Sequence, residues 1–159
     1  MAANDPTLFK TAYIAQTTAA ACTAIAGNNI VLGNVITTAN FCRVPNTPSV
    51  INSAVLTLTG TFPTVPTAMD LYFFNAVPAT TFVTGTMLNI GVADFPKIMG
   101  MCPFVDYTAI NGATSYMSQV RLLSIPFNSI SGSVFTLLVQ RAALDITSCT
   151  ATISINNIW

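Results

Sequence analysis

Histidine and glutamate are missing from this 159-residue chain, and charge of either sign is scarce. Five Lys and Arg residues face five Asp residues, 6% of the chain in all, for a formal net charge of zero. An ordinary globular domain carries about 25%. The first absence removes the commonest general base and a usual zinc ligand at one stroke. The second removes the basic patch that a phosphate backbone requires, so nucleic acid is not an expected partner. Long apolar runs are also missing. Stretches such as VFTLLV, 134–139, are far shorter than the roughly 20 residues that cross a bilayer as a helix, and neither a transmembrane helix nor a membrane partner is predicted. The opening MAANDPTLFK lacks a positive lead and an apolar core, with Asp5 and Pro6 where that core would begin. It does not read as a secretory signal, and synthesis in a cytoplasm is expected.

Cys22, Cys42, Cys102 and Cys149 are widely and irregularly spaced, without the close pairs of a zinc site. Buried free thiols are expected, with a zinc cluster held by all four as a formal alternative. The carboxylates are just as scattered. Asp5, Asp70, Asp94, Asp106 and Asp145 lie 12 or more residues apart, each near a turn or strand end where a solvated carboxylate is the plain reading. GNNIVLGN, 27–34, has glycines but no phosphate-cradling pattern, and no calcium loop is present. No catalytic residues, metal or other cofactor are expected, and the chain does not read as an enzyme.

What is present is apolar surface and uncharged polarity. Hydrophobic residues make up 52%, and Thr, Asn and Ser supply the rest of the character, favouring strands and turns over helix interiors. A neutral chain this hydrophobic lacks the mutual repulsion that keeps free monomers apart, so much of its surface is expected to be covered by neighbours. The alternative is that Thr and Asn alone keep it in solution.

Residues 1–40 read as an N-terminal arm with the first strands, and 41–159 as the body of a single domain. FKTAYIAQ, 9–16, and NIVLGNVITT, 29–38, are predicted strands, and the Ala- and Thr-rich 17–29 between them lacks either period. In VINSAVLTLTGTF, 50–62, Ala54, Leu56 and Leu58 fall on one face and Val55, Thr57 and Thr59 on the other, a half-buried strand closed by Pro63 and Pro66. DLYFFNA, 70–76, differs. Leu71 and Phe73 share one face while Tyr72 and Phe74 share the opposite one, so this strand needs cover on both sides, either a second layer of its own domain or another chain. Pro78 ends it. VADFPKIMG predicts a helical turn capped by Asp94 and stopped by Gly100. Asn111-Gly112 predicts a type I′ hairpin turn between two long strands. NSISGS, 128–133, and the segment around Asp145 are further turns, flanking VFTLLVQRAAL and leading to CTATISINNIW. Eight or nine strands with one short helix predict an all-β fold, a two-sheet antiparallel sandwich or jelly roll.

Arg121 and Arg141 stand in or near strands, unusual places in so charge-poor a chain. Either the stem packs at an edge with the guanidinium in water, or the side chain pairs across a subunit boundary. Tyr72, Phe74, Phe82 and Phe95 are candidate interface anchors or ordinary core residues.

The order of these elements resembles the small head decoration, or cement, proteins of tailed bacteriophages. The resemblance spans residues 50–159 and rests on three stretches: D-L-x-F-F-[DN]-x-x-P closing in [ST]-F, here Asp70 to Phe82; an acidic short helix ending in Gly, here Asp94 to Gly100; and a late L-V-x-R-[GA] strand, here Leu138 to Ala142. The chain has Asn75 where an acid is common in that group. The resemblance implies a jelly-roll-like virion subunit on the capsid exterior, clustering with itself as a homotrimer and clamping the major capsid protein, with no catalytic residues. Runner-up readings are a tail-fibre or receptor-binding head that grips a glycan, and a self-assembling coat subunit.

Overall fold

A computed structural model of the chain describes residues 12–18, 28–39, 41–42, 45–62, 64–143 and 148–158. Nine strands are seen among them: β1 (Ala12–Thr18), β2 (Ile30–Thr38), β3 (Ser49–Thr61), β4 (Met69–Phe74), β5 (Ile98–Phe104), β6 (Thr108–Ala109), β7 (Ser115–Phe127), β8 (Val134–Gln140) and β9 (Ser148–Ile158). They form two antiparallel sheets ordered β1-β9-β3-β7-β6 and β2-β8-β4-β5. The fold is the all-β two-sheet sandwich that the strand pattern predicts.

The core lies between the sheets. β3 alternates as its sequence does, turning Ala54, Leu56 and Leu58 inward onto Leu71, Phe73, Phe104, Phe127 and Ile153. Each large side chain withdrawn from water in this way contributes about 1.5–3 kcal/mol. β4 and β8 are apolar on both faces. Their inner residues, Leu71, Phe73, Val134 and Leu138, join the core. Their outer residues, Phe74, Phe135, Leu137 and Val139, form a second cluster with Val31 and Phe82, against which Tyr72, Leu88 and Ile90 pack.

The cover over that second cluster is the chain itself. The long connection from β4 to β5, residues 75–97, folds across the outer face of the four-stranded sheet. Its middle is stitched to the edge strand β2: Gly85 N–H donates to Val31 O at 2.9 Å, Val31 N–H to Thr86 O at 2.9 Å, and Leu88 N–H to Asn29 O at 2.7 Å. Phe82 reaches Phe74 with ring centroids 6.3 Å apart. Four consecutive apolar residues in β4 are thus covered by a second layer of the same domain.

Two local expectations are corrected. Asp94 does not cap the short helix, a 3-10 helix over Val92–Lys97 whose N-cap is Gly91, and Gly100 does not stop it. Gly100 lies within β5, opposite Phe73, where a Cβ would stand 3.0 Å from Ile125 Cγ2. The small residue is used where β5 closes on β7 at the corner of the sandwich. Nor do Asn111 and Gly112 turn a hairpin between two long strands. Asn111 has φ −139°, outside the left-handed region a type I′ turn demands, and residues 112–114 form a 3-10 turn. The preceding segment cannot pair at length with β7, because β5 belongs to the other sheet. After Phe104 the chain crosses over, and only Thr108 and Ala109 pair with Met117 and Tyr116.

The interval 19–27 of the N-terminal arm, with Cys22, and residues 9–11 of the first predicted strand lie outside the described residues. So do Pro63, the turn around Asp145 and the side chain of Cys149.

Candidate functional site

The six residues singled out from the sequence do not converge on one place. Phe74 and Phe82 are buried in the second cluster, and Tyr72 is half-buried beside them. Burial foremost, with the Asp70 charge adding to it, pushes the Tyr72 phenol up from its ordinary value. Arg141 pairs within its own chain, its Nε donating to Asp70 Oδ2 at 2.8 Å and its Nη2 to Oδ1 at 2.6 Å. Arg121 lies exposed on β7, its Nη2 donating to Gln119 Oε1 at 3.1 Å. Phe95, 56% exposed, stands on the outer side of the 75–97 layer.

One carboxylate ties the two ends of that layer to each other. Asp94 is fully withdrawn from solvent. Its Oδ1 accepts from Ala79 N–H at 2.7 Å and from Lys97 Nζ at 2.8 Å, and its Oδ2 accepts from Thr80 N–H at 2.8 Å. Lys97 Nζ also donates to Val77 O at 2.8 Å, and Thr80 Oγ1 accepts from Gly91 N–H at 3.0 Å. Two backbone donors and an ammonium thus fix both ends of the layer to one side chain. The Lys97 ammonium first, then the Thr80 hydroxyl and the Ala79 and Thr80 amides, holds the Asp94 carboxyl well below the usual carboxylate range.

Asp94 and Lys97 are the only charged residues in 75–97, and they neutralise each other. The outward side of the layer presents Val77, Val83, Met87, Val92 and Phe95 to water. At its margin the apolar surface runs into an open depression of about 360 Å³ lined by Asn75, Ala76, Val77, Ile130, Ser131 and Phe135. Ile130 stands 85% exposed at its rim.

The five-stranded sheet offers a different surface. Its outer face carries Ser53, Val55 and Thr57 of β3, Met117, Gln119 and Arg121 of β7, and Thr152, Ser154 and Asn156 of β9. Both ladders of β3 slip between Ile51 and Ser53. On β7, Arg121 faces Ser53 and Ile125 faces Ile51, so residues 122–124 bulge out opposite Asn52. Leu122 and Ser124 take φ of 58° and 51°. The bulge opens a depression of about 420 Å³ lined by Asn52, Ser53, Gln119, Arg121, Leu122 and Asn156.

Sequence reasoning missed both the Asp94 clip and the Leu122 bulge. The isolation of Asp94 and Lys97 in an otherwise uncharged stretch was the available signal for the first. Nothing in SQVRLLSI signals the second, since leucine is not a turn residue.

Cys42 and Cys102 are free and buried. Burial first, with the charge of Asp70 beside it, pushes the Cys102 thiol up to about 12, which leaves it unreactive. Among the described residues no three His, Cys, Asp or Glu side chains are grouped to hold a metal ion, and no helix is long and apolar enough to cross a membrane. No protein-family model matches the chain, and no curated protein matches it.

Proposed function

We propose that this chain is a structural virion protein, a decoration or cement protein that seats on the outer surface of a phage head and stabilises it. One observation carries the reading. The chain covers its own doubly apolar strand with the 75–97 layer, yet the outside of that layer still exposes five large apolar side chains around a self-neutralised ion pair. A surface so poor in charge gains by burial against another protein, and obligate contacts of this kind run to roughly 2,000 Å² or more. Clustering as a homotrimer would multiply weak seats on the major capsid protein through effective concentration. The sandwich fold and the motif resemblance of Asp70–Phe82 and Asp94–Gly100 agree with this role, which requires docking and no reaction.

The test is a mass determination of the purified chain in solution, followed by addition to bare phage heads. A stable trimer that adds to heads and raises their resistance to heat supports the proposal. A monomer with no affinity for heads overturns it.

A further inference from the structure

Three observations converge on one end of the β9-β3-β7 ladder, on the face opposite the apolar layer. First, both ladders of β3 are broken at the same point, and bulges of this sort commonly re-aim side chains beside binding sites. Second, Leu122 is held in the left-handed region with its side chain 80% exposed, a strained arrangement that gains the fold no buried surface. Third, the polar groups there are incompletely used. Asn156 Oδ1 is enclosed without a hydrogen-bond partner. Lys97 and Arg141 are each paired with a carboxylate, whereas Arg121, alone among the described cations, touches only the amide of Gln119.

We infer that this depression is a binding site for an acidic sugar, a pyranose ring bearing a carboxylate. Asn52 and Gln119 carry amides that both donate and accept, as vicinal hydroxyls require, and Asn156 lines the same depression. The Arg121 guanidinium, steadied by Gln119, offers the two-pronged donor geometry that suits a carboxylate. Leu122 supplies an apolar edge for the C–H face of the ring. A phosphate chain would demand more than one cation, and a wholly apolar ligand would leave the amides unpaired. The volume, about 420 Å³, falls within the range of about 300–1,000 Å³ usual for small-molecule sites. The site does not depend on the docking role, because the two surfaces occupy opposite faces of the sandwich.

The test is an amide chemical-shift titration of the whole isotopically labelled chain with glucuronic acid, with glucose and acetate as separate arms. Glucuronic acid is expected to give saturable shifts confined to residues 52–53, 119–122 and 156. Glucose, which lacks the charged partner, is expected to bind about tenfold more weakly, and acetate, which keeps the charge but lacks the ring hydroxyls and C–H face, to bind about tenfold more weakly as well. Arg121→Gln should lose that same factor for glucuronic acid while amide positions away from 52–53, 119–122 and 156 stay unchanged, which shows the variant folded. Absence of saturable shifts in that patch overturns the proposal. Acetate matching glucuronic acid also overturns it, by reducing the site to a simple anion contact or an acidic protein side-chain seat.

Discussion

Arg141 grips Asp70 with two parallel hydrogen bonds, 2.8 Å and 2.6 Å long, across 71 residues of sequence. The pair ties the end of β8 to the start of β4, and Arg141 N–H donates to Ala68 O at 2.9 Å alongside it. Asp70 is buried, whereas the arginine side chain is 39% exposed. Removing the cation therefore strands a buried carboxylate, but solvent screening softens the loss. Arg141→Ala is expected to cost about 2 kcal/mol of stability, below the 3–5 kcal/mol of a fully buried pair. Urea unfolding measures it, and a loss within 0.5 kcal/mol, roughly that of an ordinary surface substitution, would contradict the structural role.

Acid should release the 75–97 layer. The Asp94 carboxyl is more acidic in the folded chain than its ordinary value of 3.8, so the unfolded chain takes up the proton first as pH falls. The stabilisation is complete above that ordinary value and drains away as pH drops through the lower folded one. A dye that binds apolar surface should brighten between about pH 4 and about pH 2 as Phe74, Phe135 and Leu137 lose their cover. Asp94→Asn should show exposed surface already at neutral pH and a flatter acid response. An unaltered acid response in that variant would show that Asp94 does not hold the layer.

Leu122 holds strain that glycine does not feel. A left-handed leucine costs about 1–2 kcal/mol, and the freedom glycine adds to the unfolded chain returns about 0.4–1 kcal/mol of that. Leu122→Gly should therefore raise stability by about 0.5–1 kcal/mol, since the exposed side chain buries little. Leu122→Ala, still strained, should gain nothing. Equal stability of the glycine and alanine variants would speak against strain at this position.

Tyr107 carries a buried hydroxyl without a hydrogen-bond partner. Burial first, then the charge of nearby Asp70, makes this phenol far less acidic than an ordinary one, so it stays neutral. Tyr107→Phe removes an unsatisfied group while keeping the ring, and a gain on the order of 0.5 kcal/mol is expected. A loss of about 1 kcal/mol or more on thermal unfolding would show that the hydroxyl has a partner in solution.

Much of the sandwich was legible because alternation in β3 and the double-faced run of β4 are local patterns, read from side chains two residues apart. The need to cover Tyr72 and Phe74 was visible in the same way, but the identity of the cover was not. Phe82 and Asp94 act from 8 and 20 residues beyond Phe74, with no period linking them. Capping is a nearest-neighbour rule and assigns Asp94 to its own turn; its amide partners, Ala79 and Thr80, lie 15 and 14 residues earlier. The Asn-Gly signal failed for a related reason. A hairpin turn specifies a pair of strands, and here the preceding strand already belonged to the opposite sheet. Arg121 and Arg141 looked equivalent in sequence, yet only one met a carboxylate, a difference set by the register of β8 on β4, where Asp70 faces Val139.

Co-sedimentation with bare phage heads reads out whether the uncharged outside of the 75–97 layer docks onto them. Val92 and Phe95 are exposed, so the paired change Val92→Asp and Phe95→Asp should leave the urea midpoint intact. Docking through this layer requires that the unaltered chain sediment with the heads and that the doubly substituted chain stay in the supernatant. Equal partition of the two chains, or an unaltered chain that remains free and monomeric at high concentration, would contradict it.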